Sequence, residues 1–109
     1  MKLLPLIAIA AMLTLPPAIA AGQHSKFELD WRRNGEVLTY QSCGCAGSCW
    51  IAELRKGKKL KARLRCDCEQ LYFVKQRGQE QKIADSCAEF NTKEKMDLIP
   101  QRMKELEEK

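Results

Sequence analysis

The 109-residue chain holds one histidine, His24, and few aromatic side chains: two Trp, two Tyr and three Phe. A solitary imidazole near the start leaves no base for a Ser- or Cys-centred nucleophile, and no carboxylate pair stands out from an ordinary charged surface. The chain is therefore read as a non-enzyme. The aromatics do not interleave with the basic residues, so the stacking platforms of nucleic-acid binders are missing. Past Ala21 no apolar run approaches the ~20 residues that a spanning helix needs. No repeat, low-complexity tract or linker divides the chain, and its length allows one small domain.

Residues 1–21 read MKLLPLIAIAAMLTLPPAIAA. A basic start, an apolar centre and Ala18-Ile19-Ala20 before the cut are the parts of a secretory signal peptide. Pro16 and Pro17 interrupt the run and argue against a retained anchor, and no Cys follows the cut to take a lipid. The expectation is a signal peptide over 1–20 and one disulfide-rich domain over 21–109, exported to a periplasm or the exterior. A cut one residue later would leave Gly22-Gln23-His24 as a Cu(II) chelator; the Ala-x-Ala rule disfavours it, and His24 is read as solvated.

From Phe27 to about Cys87 the pattern has the period of strands, broken by turn residues. A turn centred on Asn34-Gly35 sets Trp31 opposite Leu38, Leu29 opposite Tyr40 and Phe27 opposite Ser42. A three-residue loop, 56–58, sets Leu54 opposite Leu60, Ala52 opposite Ala62, Trp50 opposite Leu64 and Arg55 opposite Lys59. A third turn at Arg77-Gly78 sets Tyr72 opposite Ile83 and Cys68 opposite Cys87. Three hairpins in series predict an α+β fold, mostly β: an antiparallel meander of about six strands. Beyond Ala88 the period lengthens. Asn91 and Glu94 have capping-box spacing, and Met96, Ile99, Met103 and Leu106 form a helical stripe. With Pro100 confined to a first turn, a C-terminal helix is predicted over about 98–108, one extra turn preceding it, its stripe covering the sheet. Glu105, Glu107 and Glu108 oppose the helix dipole there.

The six cysteines, Cys43, Cys45, Cys49, Cys66, Cys68 and Cys87, read as a disulfide framework in an exported chain of this size. Strand parity puts Cys66 and Cys68 on the face of Leu60, Ala62 and Leu64. The third hairpin brings Cys87 to Cys68, leaving Cys66 to pair with one member of the Cys43–Cys49 cluster. The alternative is a thiolate site for Cu(I) or Zn(II) built from Cys43, Cys45, Cys49, Cys66 and Cys68; no cofactor is expected otherwise.

Two short stretches invite comparison. Gly44-Cys45-Ala46-Gly47-Ser48-Cys49-Trp50 resembles the C-G-S-C-W nucleophile segment of papain-like cysteine proteases but has Ala46-Gly47 where Cys-Gly is needed, and no downstream His exists to make a thiolate. Protease activity is excluded. Tyr40-Gln41-Ser42-Cys43 resembles a strand end of the small periplasmic lysozyme inhibitors, which are β-rich and exported; their motif glycines are not matched, and no site is transferred.

Charge is polarised. Between Arg55 and Lys82 the chain carries ten basic residues against three acidic ones, in a protein of formal net charge +5. Lys59, Lys61, Arg63 and Arg65 alternate strictly with Leu60, Ala62 and Leu64, which predicts that they project in one basic row. The expectation is a binding protein, of inhibitor or immunity type, that docks an acidic protein or an anionic envelope polymer through this row. A structural component of the envelope is the remaining alternative, and a solvated face guarding the sheet the bland one.

Overall fold

The computed structural model describes residues 25–109; the expected signal peptide over 1–20 and His24 lie outside them. Six strands form one antiparallel sheet in sequence order: β1 (Lys26–Glu28), β2 (Glu36–Gly44), β3 (Cys49–Lys56), β4 (Lys59–Asp67), β5 (Leu71–Lys75) and β6 (Gln81–Ala84). A 3-10 turn at Cys45–Gly47 joins β2 to β3, another at Ala88–Phe90 follows β6, and α1 spans Lys95–Glu107. The expected meander and C-terminal helix are both present.

Alternation decides the faces. Leu38 and Tyr40 of β2, Trp50, Ala52 and Leu54 of β3, Ala62, Leu64 and Cys66 of β4, and Leu71 and Phe73 of β5 are buried together with Phe90 and with Ile99, Met103 and Leu106 of α1. The helix stripe is therefore the lid of the sheet. At its C-terminal end, Arg33 Nη1 donates to Glu107 Oε1 at 2.7 Å and Arg33 Nη2 to Glu108 Oε2 at 2.9 Å. These partners offset the unfavourable placement of two acids at a helix C-terminus. The helix starts before Pro100, at Lys95, so the extra turn and the helix are continuous; Asn91 ends the preceding 3-10 turn instead of capping α1.

All three registers differ from expectation. Asn34-Gly35 does turn the chain, with Glu36 N donating to Arg33 O and Gly35 at φ +77°. Pairing begins farther back, with Phe27 opposite Tyr40, because Trp31 Nε1 donates to Glu36 Oε1 at 2.9 Å within a wider connection. The shift is two residues, so each side chain keeps its face. The second hairpin turns in two residues, with Gly57 at φ +64°, the sign that the first central position of a type II′ turn requires. Lys56 faces Lys59 and Arg55 faces Leu60, but Leu54 faces Ala62, leaving Lys61 as a bulge without a direct partner. Leu60 thereby leaves the core face and joins Arg55 on the outer one. In the third hairpin Tyr72 faces Lys82 and Phe73 faces Gln81. This one-residue slip turns Ile83 inward, where it packs on the core.

The bonds are Cys43–Cys49, Cys45–Cys68 and Cys66–Cys87, so the expected partners of Cys66 and Cys68 are exchanged. Strand parity fails at Asp67. Its carboxylate accepts from the amides of Glu69 and Gln70 at 3.1 and 2.8 Å and ends β4 in a turn. Cys68, at φ +89°, swings to the 45–48 turn, where its N–H donates to Ser48 O at 3.1 Å. Cys66 stays in the strand on the core face and meets Cys87.

Ile99 has no exposed surface. Ile99→Ala is expected to cost about 2–5 kcal/mol by lost burial and the cavity left behind, whereas Val37→Ala on the uncovered face changes stability by less than about 0.5 kcal/mol. Urea unfolding of the oxidised protein measures both.

Candidate functional site

In an antiparallel meander the turns alternate between the two ends of the sheet. The β2–β3 and β4–β5 connections share one end, bound together by Cys45–Cys68. At the other end lie the β1–β2, β3–β4 and β5–β6 turns, and with them Arg32, Arg33, Lys56, Lys58, Lys59, Lys75 and Arg77. One end is cross-linked and the other is basic.

The basic row of the regular-strand expectation is divided. The bulge turns Lys61 toward the helix, where Nζ donates to Glu36 Oε2 at 2.6 Å and lies 3.4 Å from Glu107 Oε2. Arg63 and Arg65 stay on the outer face, each bonded to an acid. Arg63 Nε donates to Glu53 Oε2 at 3.1 Å, and Arg65 makes two bonds to Glu80, at 2.7 and 2.8 Å, with its guanidinium 4.3 Å from the centre of the Tyr72 ring. Lys59 alone of the four is exposed and carries no ion pair among the described residues.

The same division extends across the basic end. Asp30 is paired with Arg32, Glu36 with Lys61 and Arg33, Glu107 with Arg33 and Lys61, and Glu108 with Arg33. Lys75 donates to the carbonyl of Lys109 at 2.8 Å. Lys56, Lys58, Lys59 and Arg77 are exposed and without an acid partner among the described residues. The β3–β4 tip that carries three of them is braced: Arg55 Nη1 donates to Lys58 O at 3.3 Å while Nη2 is held by Glu53 Oε1 at 3.1 Å. The compositional excess of charge was visible in the sequence, but its location was not. Tracing it required knowing which cations the long-range contacts with Glu36, Glu80 and Glu107 consume.

These contacts also set the carboxyl groups. The Lys61 hydrogen bond, helped by Trp31 and Arg33, holds Glu36 below the ordinary carboxylate range against the opposing effect of burial. Burial pushes Glu107 up, but the hydrogen bonds from Arg33 and Lys61 outweigh it and the net direction is down. Arg65 likewise lowers Glu80. Glu53, raised by burial and lowered more by Arg55 and Arg63, ends below its usual value. A general acid at neutral pH needs the opposite shift.

All six sulfurs are in disulfides and no cysteine is free. Metals bind the thiolate, so the alternative site of Cys43, Cys45, Cys49, Cys66 and Cys68 would require these bonds to be reduced. Among the described residues no group of three or more His, Cys, Asp or Glu side chains could hold a metal ion, and no helix is long and apolar enough to cross a membrane. Compared with protein-family models, curated proteins and solved structures, the chain matches none.

Because Glu36 and Glu107 have lowered folded-state pKa values, their contribution to stability is complete above the unfolded carboxylate value, near 4.3, and is lost as pH falls through the folded values. The melting temperature of the wild type is expected to fall as pH drops below about 4.5, and Glu36→Gln/Glu107→Gln to lower it at pH 7 and flatten the acid limb. Calorimetry from pH 7 to pH 2 checks the sign.

Proposed function

We propose that this chain is an exported, non-enzymatic binding protein that docks an acidic protein partner, in the manner of an inhibitor or immunity protein, through the unpaired cations at one end of its sheet. The signal-like residues 1–20 and three disulfides support export, because such bonds persist in oxidising compartments. The observation that carries the docking reading is the separation of charges. Asp30, Glu36, Glu107 and Glu108 at this end are each paired with a cation of the chain, while Lys56, Lys58, Lys59 and Arg77 are exposed at or beside the turns with no acid partner among the described residues.

Such a surface adds long-range attraction to an acidic partner. The β3–β4 tip supplies most of it on a backbone already held by Arg55, so less conformational freedom is lost on docking. Arg63 and Arg65 contribute around the margin, their charge reduced by Glu53 and Glu80. Lys61 acts within the fold, fastening the helix end.

The test is capture from extract of the native compartment on the immobilised, oxidised chain, followed by kinetics with the purified partner. Lys56→Glu/Lys58→Glu/Lys59→Glu is expected to slow association by about 10–100-fold at low salt, with the melting temperature almost unchanged. Lys61→Glu, in contrast, is expected to lower the melting temperature. A partner whose binding is indifferent both to 0.5 M salt (an ionic strength with a Debye length of only about 4 Å) and to the triple reversal refutes the proposal.

A further inference from the structure

The turn at the cross-linked end has an unusual backbone. Gly44, Cys45, Ala46 and Gly47 have φ of +111°, +54°, +53° and +98° in succession, and Cys68, to which Cys45 is bonded, has φ +89°. Both half-cystines of one bond thus lie in the region that L-residues avoid, whereas neither partner of the other two bonds does. Access follows the same division. Cys45 is exposed and Cys68 half-buried, Cys43 and Cys49 are half-buried members of paired strands, and Cys66 and Cys87 are buried.

We infer that Cys45–Cys68 is a thiol–disulfide exchange site, which a dithiol reductant, small or of the Cys-x-x-Cys oxidoreductase class, opens while Cys66–Cys87 stays closed. An incoming thiolate bonds to Cys45 Sγ, the sulfur–sulfur bond breaks, and Cys68 departs as a thiolate that takes up a proton. The reductant's second thiol, deprotonated, then attacks its own sulfur in the mixed disulfide and expels Cys45 as a thiolate, which is protonated in turn. Two electrons have moved: the reductant leaves as a disulfide, and Cys45 and Cys68 remain as thiols. Exchange requires access to the bond and favours a product that can relax, and of the three bonds only this one has an exposed half-cystine and positive φ at both residues. Once it is open, Cys45 and Cys68 are free to return to extended backbone.

The effect reaches the helix. Lys95, the first residue of α1, donates from Nζ to Gly47 O and to Tyr40 Oη, each at 2.8 Å, and the same ammonium lies 5.0 Å from the Tyr40 ring and 5.7 Å from the Trp50 ring. Gly47 belongs to the turn that the bond restrains. Opening it removes one of the two acceptors that seat Lys95, so the surroundings of Trp50 report the change. Partner binding at the opposite end is not involved, and this inference stands or falls separately from that reading.

The experiment treats folded, oxidised protein with dithiothreitol at neutral pH, traps thiols with N-ethylmaleimide at intervals, and maps the labelled peptides by mass spectrometry. Cys45 and Cys68 are expected to be labelled together, about tenfold or more faster than Cys43 and Cys49, with Cys66 and Cys87 labelled only in denaturant. Tryptophan emission is expected to change on the time course of Cys45 labelling. Opening of Cys43–Cys49 or Cys66–Cys87 at the same rate or earlier overturns the inference. In addition, Cys45→Ser/Cys68→Ser is expected to keep a cooperative melt with Cys66–Cys87 closed; an unfolded variant would show that the bond cannot open separately from the fold, which equally overturns it.

Discussion

A six-stranded sheet with one apolar face has to be covered, and here one thirteen-residue helix does the covering. The rest of the structure depends on that contact. Ile99, Met103 and Leu106 share one buried cluster with Leu38, Leu54 and Leu64, and without them much of the face would meet water. So short a lid has little helical stability of its own. Both its ends are fastened to the sheet: Lys95 to Tyr40 and Gly47, and Glu107 and Glu108 to Arg33 and Lys61. Since those side chains come from opposite ends of the sheet, the fastenings fix the direction of the helix as well as its depth.

The bulge at Lys61 shows how the lid shapes the charge pattern. In an unbroken strand Lys61 would join Arg63 and Arg65 on the outer face. Displaced by one position, it serves Glu36 and Glu107 on the helix side and takes one cation out of the exposed set. What projects from the molecule is therefore a remainder, composed of the cations that folding did not use. They lie at or beside the turns: Lys58 and Arg77 are turn residues, Lys56 and Lys59 end β3 and begin β4 facing each other, and the acid across from Lys56, Glu36, is taken by Lys61 and Arg33.

Much of the architecture was legible in the sequence. The alternation of Trp50, Ala52 and Leu54 and of Ala62, Leu64 and Cys66 marked two strands and their inner face, and the Ile99, Met103 and Leu106 spacing marked the lid. Registers were less legible, because each hairpin departed from the expected one: the first and third are wider, with Trp31 bonded to Glu36 and Ile83 packed on the core, and the second is a residue shorter with Lys61 bulged toward Glu36 and Glu107. The disulfide partners were hidden by a single backbone angle at Cys68, which parity cannot anticipate. Of the candidate docking residues, Lys59 needed only the local pattern. The engagement of Lys61, Arg63 and Arg65 depends on acids 25, 10 and 15 residues away in the chain, beyond what periodicity can express.

The β3–β4 tip has one more property. A β-carbon placed on Gly57 would find no atom within 4 Å, although the backbone there, at φ +64°, favours glycine. The exposed side chains of Lys56, Lys58 and Lys59 beside Gly57 lie outside the buried cluster that holds the lid to the sheet. Under the docking proposal, a tip set apart from the lid and the cross-links is the part of the molecule that could be re-addressed with least cost to the fold.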